Sequence, residues 1–181
     1  GGLPRARAGG YAGGMKYTIA DEFATTPQRY WEVFFDEEYN RQLFQHVRVG
    51  YELLEMKREG EGDALVIRRK QRLAPQREMP ALFQKFVKGS AYYIEENRFV
   101  ARTNTMEVVT TPSFMADSIL TRGTYRLEVA GPRAVRRVWD GEVTVKIPLV
   151  GGKAESFIVD EVKSSYKATT EFTRRWLAEH P

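Results

Sequence analysis

Cysteine is absent from the 181 residues, which removes thiolate nucleophiles, thiolate metal sites and disulfide staples together and accords with a reducing compartment. Histidine occurs only as His46 and His180, so an imidazole-centred catalytic or metal cluster has almost no material. No Gly-x-Ser-x-Gly elbow and no glycine loop followed by Lys-Ser/Thr is present; Gly151-Gly152-Lys153 reads as a sharp turn instead. No stretch approaches the roughly 18 uninterrupted apolar residues of a membrane span, and residues 1–14 lack the apolar core of a secretory signal. Neither charge sign dominates: 28 Lys and Arg against 24 Asp and Glu give a net +4. These gaps leave no catalytic set, so a non-enzyme is favoured over an enzyme, with no cofactor and no metal. A cytoplasmic setting is expected, with organellar import left open by the Arg-bearing N-terminal segment.

Apolar material is plentiful. Hydrophobic residues make up 42% of the chain and aromatics 12%, with ten Phe, nine Tyr and three Trp, enough for one globular domain that buries about 70% of its unfolded surface. Residues 1–14 carry six glycines and no apolar periodicity, the composition of a flexible leader; the domain is expected over residues 15–179. Tyr17, Ile19 and Phe23 alternate with polar residues as in a half-buried strand. Thr26 then reads as an N-cap and Pro27 as a first helical residue, where its missing N–H costs nothing. A second short helix is expected over 37–46.

β-rich segments follow at 47–57, 64–73, 90–95, 99–110, 118–129 and 135–147, broken at sites such as Asn97-Arg98 and Gly131-Pro132. A loop or short helix interrupts them around Leu82 and Phe83. Short connections favour an antiparallel meander. In the last strand Trp139, Gly141, Val143 and Val145 share one face. From near Gly151 to about Glu179, apolar residues recur at helical spacing, including Ile158, Val162, Tyr166, Phe172 and Trp176. The expected fold class is α+β: a curved antiparallel sheet wrapped around a long C-terminal helix, with two short helices after the first strand.

This order resembles the helix-grip fold of the START/Bet v 1-like (SRPBCC) superfamily. The residues that carry the resemblance are Ile19-Ala20-Asp21-Glu22-Phe23-Ala24-Thr25-Thr26-Pro27-Gln28-Arg29-Tyr30-Trp31 at the entry. Val145-Lys146-Ile147-Pro148-Leu149-Val150-Gly151-Gly152-Lys153-Ala154-Glu155 and Glu171-Phe172-Thr173-Arg174-Arg175-Trp176-Leu177 are similar to a bacterial START-like family of unknown function. The resemblance implies a central hydrophobic cavity that binds a lipid, sterol or polyketide-like molecule, and it supplies no catalytic residues.

The aromatic residues Phe23, Tyr92, Tyr125, Trp139, Phe157 and Tyr166 are the expected cavity lining, with Thr105 and Val143 on neighbouring strand positions. Asp21, Glu107 and Glu161 are the carboxylates to watch, because a carboxyl facing an apolar cavity can hold a ligand hydroxyl or act as acid or base. Residues 149–153 and 79–87 are the expected rim. Arg68, Lys70 and Arg72 share one strand face and read as a solvated outer surface, while Arg69 takes the other; Arg133, Arg136 and Arg137 form a second basic group. Three functions follow: a carrier or sensor of an apolar ligand, a cyclase/dehydratase-type enzyme using cavity Tyr and Asp/Glu, and a protein-interaction module with a filled core. The expected partner is a hydrophobic small molecule, with transient membrane-surface contact and no nucleic acid.

Overall fold

Alternating apolar and polar residues become seven strands in the computed structural model, which describes residues 14–181. The expected leader, Gly14 apart, lies outside the described residues. The elements run β1 (Met15–Phe23), α1 (Pro27–Phe34), α2 (Glu37–His46), β2 (Val49–Glu59), β3 (Val66–Pro75), α3 (Ala81–Gln84), β4 (Tyr93–Val100), β5 (Thr105–Pro112), β6 (Ile119–Gly131), β7 (Ala134–Val145) and α4 (Gly151–Glu179). The strands form one antiparallel sheet in the order β1-β7-β6-β5-β4-β3-β2, in which only β1 is out of sequence. That is the helix-grip arrangement. Thr26 caps α1 as its sequence implies, its hydroxyl accepting from the Arg29 N–H at 3.2 Å. Asp36 does the same for α2.

One expected break is misplaced. β4 runs straight through Asn97-Arg98, and the chain turns instead at 101–104, where Asn104 takes φ 50°. Asn tolerates the left-handed region because its short side chain can hydrogen-bond locally. Asn97 stays in the strand because its amide is used as a strut: it accepts from Arg69 Nε at 2.8 Å and donates to Glu95 Oε1 at 2.9 Å.

Register places the inner face residue by residue. Tyr17, Gly141, Gly123, Val108, Asn97 and Arg69 form one row across the concave side; Ile19, Trp139, Tyr125, Met106, Phe99 and Ile67 form the next. Gly123 and Gly141 face each other across β6 and β7. A Cβ on Gly123 would come within 2.4 Å of the Trp139 ring, and one on Gly141 within 2.6 Å of both Trp139 Nε1 and the Tyr17 ring. The indole and the phenol therefore lie close against bare backbone, and both border the interior space.

α4 lies over this face. Its C-terminal half packs tightly, with Phe172, Thr173 and Leu177 buried, the Tyr39 hydroxyl bonded to Thr173 Oγ1 at 2.7 Å, and Tyr39 against Trp176. Around it Phe23, Tyr30, Trp31, Phe35 and Phe99 make a continuous aromatic core. The first turn of the helix is fastened to the sheet by Glu155, whose Oε1 accepts from the Val145 N–H at 2.9 Å.

Candidate functional site

Between the N-terminal half of α4 and the sheet lies a cavity of about 1060 Å³, at the top of the size range of small-molecule sites. Tyr17, Trp139 and Tyr125 make its floor, Phe157, Ile158 and Val162 its helical wall, and Met79, Pro80, Phe83 and Val87 its rim. An Arg77–Glu161 ion pair ties the segment after β3 to α4 at this cavity.

Polar groups are the minority of the lining. Glu95 faces the interior from β4, its Oε1 accepting from Gln71 Nε2 at 3.0 Å and from Asn97 Nδ2. The hydroxyls of Tyr125 and Tyr166 are bonded to each other where sheet meets helix. Burial pushes both phenols up from their ordinary value, against the opposing pull of the Arg137 guanidinium, so both remain hydroxyls at physiological pH. A pair of hydroxyls spends one proton on itself, which leaves the second available. The Tyr17 hydroxyl and Trp139 indole N–H are buried without a well-formed partner, and burial raises the Tyr17 pKa while the indole beside it lowers it.

Arg137 lies behind the tyrosine pair, outside the cavity lining. Its guanidinium donates to Tyr30 Oη at 3.0 Å and, through one nitrogen, to Asp21 Oδ2 and Thr170 Oγ1 at 2.9 Å each. It also stacks over Phe23, Tyr125 and Tyr166. Arg137 is thus an interior residue and no part of a basic surface, as is Arg69, which donates to Asn97 and to the Phe34 carbonyl. Arg68, Lys70 and Arg72 do face outward, paired with Glu59, Glu96 and Glu52.

Of the residues expected at the cavity, the structure brings Tyr125, Trp139, Phe157, Glu161 and Tyr166 to its wall. Five lie elsewhere. Phe23 is 2% exposed beneath Arg137 in the closed aromatic end. Tyr92 precedes β4 and stacks under Arg72 at 4.1 Å, leaving Tyr93 to face inward. Thr105 and Glu107 occupy the outer face, where Thr105 bonds Thr103 and Glu107 pairs with Arg98; strand parity gives the inner face to Met106 and Val108. Val143 is fully buried packing, not wall. Asp21 is spent on Arg137. The rim is met by residues 79–87, while Leu149 is wholly exposed and Lys153 points outward. Sequence reasoning missed Tyr17, Tyr93, Arg77 and Glu95. For Glu95 a signal existed, its parity with Tyr93 and Phe99.

A curved antiparallel sheet gripping a long helix over an interior cavity is the START/Bet v 1-like fold. Solved structures agree. The chain is similar to the protein TTHA0849 from Thermus thermophilus (17% identity, TM-score 0.61, covering 92% of this chain and 100% of that one). It is similar to a START superfamily protein from Mycobacterium smegmatis (15%, TM-score 0.57, 86% and 94%) and to the Zhui aromatase/cyclase from Streptomyces sp. R1128 (10%, TM-score 0.56, 89% and 94%). These likenesses show the fold alone. Residues 18–177 match the family described as Protein of unknown function (DUF2505), and the chain belongs to that family. No curated protein matches the sequence. Among the described residues no helix is long and apolar enough to cross a membrane.

Proposed function

We propose that the protein binds a hydrophobic small molecule in the cavity between the sheet and α4 and acts as its carrier or sensor. The observation that carries this reading is the cavity itself, about 1060 Å³ of space walled mainly by aliphatic and aromatic side chains. An interior this open is costly unless something fills it, because each lining group forgoes packing contacts. Apolar burial at roughly 25 cal/mol per Å², less the cost of ordering the ligand, supplies the affinity. The open interior counts against an interaction module with a filled core. Transient contact with a membrane surface belongs to the same reading, through Leu149, the most exposed large apolar side chain among the described residues.

A second reading, a cyclase/dehydratase-type enzyme, is favoured by one arrangement: a hydroxyl pair at Tyr125 and Tyr166 and a carboxylate at Glu95 share one cavity. A donor that polarises a carbonyl and a carboxylate that takes a proton are the parts of general acid/base work.

Native mass spectrometry with organic extraction of protein purified from a lipid-containing host tests the carrier reading. A stoichiometric co-purified apolar compound is expected, and adding it back at 100 times its Kd should raise stability by about 2.7 kcal/mol. An empty protein that gains no thermal stability across a panel of apolar compounds sinks it.

A further inference from the structure

The whole chain carries a net charge of +4, yet the cavity wall has the opposite sign. Among the described residues its charged lining is Glu78, Glu95, Glu161 and one cation, Arg77. Arg77 is engaged by Glu161. Two buried cations, Arg69 and Arg137, stand outside the lining: Arg69 sits behind the Asn97 amide, near enough for its charge to act on Glu95, and also donates to the Phe34 carbonyl. Arg137 lies beyond the tyrosine pair and is shared among Asp21, Tyr30 and Thr170.

Glu95 is the wall carboxylate carried by the sheet, two strands from Tyr125 on the same inner face. Its Oε1 takes both donors that reach it, from Gln71 and Asn97, and among the described residues Oε2 has no hydrogen-bond or ion-pair partner. The struts fix the carboxylate in place and leave one oxygen presented to the cavity. An anion brought alongside would meet a fixed like charge in a medium of low dielectric, whereas a hydroxyl or ammonium proton would complete the unfilled acceptor.

We propose that this cavity selects an apolar molecule with a hydrogen-bond-donating polar end, a hydroxyl or a protonated amine, held by Glu95, and rejects carboxylates, sulfates and phosphates. The inference rests on the reading of the cavity as a ligand site. Glu95 is then the residue that sets specificity, and Glu78 at the rim acts in the same direction on entry, whereas Glu161 and Arg77 offset each other.

Four probes that share one apolar body separate the possibilities: naphthalene, 2-naphthol, 2-naphthylmethylamine and 2-naphthoate, titrated calorimetrically into the full chain and into Glu95→Gln. Naphthol or the amine should bind wild type at least roughly tenfold tighter than naphthoate, as like-charge opposition demands. Which of the two leads identifies the polar end as hydroxyl or ammonium. Glu95→Gln should shrink the margin over naphthoate severalfold, since the amide keeps the shape and drops the charge. Naphthoate binding wild type as tightly as naphthol and the amine, or a margin unchanged in Glu95→Gln, overturns the specificity while naphthalene binding leaves the ligand site standing. If none of the four binds wild type, the ligand-site reading falls and this one with it.

Discussion

The two halves of α4 cover the same sheet in opposite ways. Toward the C-terminus, Phe172, Thr173 and Leu177 sink into an aromatic core with a buried guanidinium at its edge. Toward the N-terminus, Phe157, Ile158 and Val162 stand over open space. The sheet is continuous beneath both. What differs is the filling: α1 and α2 deliver Tyr30, Trp31, Phe35 and Tyr39 to one end, while the four-residue α3 and its flanking loops border the open space at the other. Stability and ligand capacity are thereby separated along one helix.

The largest effect is expected at the boundary. Arg137→Met removes a guanidinium that satisfies Asp21, Tyr30 and Thr170 at once; breaking a buried pair from one side costs about 3–5 kcal/mol. Urea denaturation should show a loss of that size, and a loss under about 1 kcal/mol would mean the aromatic stack alone holds the closed end. Next, Phe172→Ala should cost about 3–5 kcal/mol as an ordinary core truncation, whereas Phe157→Ala, whose ring already borders a void, should cost under about 2 kcal/mol. Equal losses would erase the distinction between the halves.

The smallest effect is alkaline. Burial raises the Tyr30, Tyr39, Tyr125 and Tyr166 pKa values above those of the unfolded chain. The folded state therefore holds these protons more tightly, and the stability this gives is full below the unfolded value near pH 10 and is lost as pH rises past it. Thermal unfolding should fall by a few degrees between pH 9 and about 10.5, while absorbance at about 295 nm shows these phenols ionising after the exposed ones. A flat profile would mean the phenols near the boundary are wetter than their burial implies.

Much of this architecture was legible in the chain. Parity put Trp139, Gly141, Val143 and Val145 on one face, and Thr26-Pro27 announced α1 at its true start. The site was legible in part, because a strand's inner face depends on register, and a one-residue slip exchanges the two faces. That is the difference between Tyr92 and Tyr93. Glu95 and Glu96 are adjacent and chemically alike; Glu95 faces the cavity and Glu96 meets Lys70 in solvent, and along the chain only parity with Tyr93 and Phe99 separates them. Glu107 could have been set aside, since Met106 and Val108 are the better inner residues of β5. Asn97 read as a turn because Asn is common in turns; its strut role depends on Arg69, 28 positions earlier in the chain.

The facing glycines beneath Trp139 set the depth of the chamber. A methyl group at Gly123 would collide with the indole at 2.4 Å and with the Asp140 carbonyl at 2.6 Å. The guest's headroom is thus governed by two hydrogen atoms that no guest ever touches. Since the Asp140 carbonyl is backbone, any side chain at Gly123 would move the sheet as well as the ring, so the floor is set where the strands themselves are fixed.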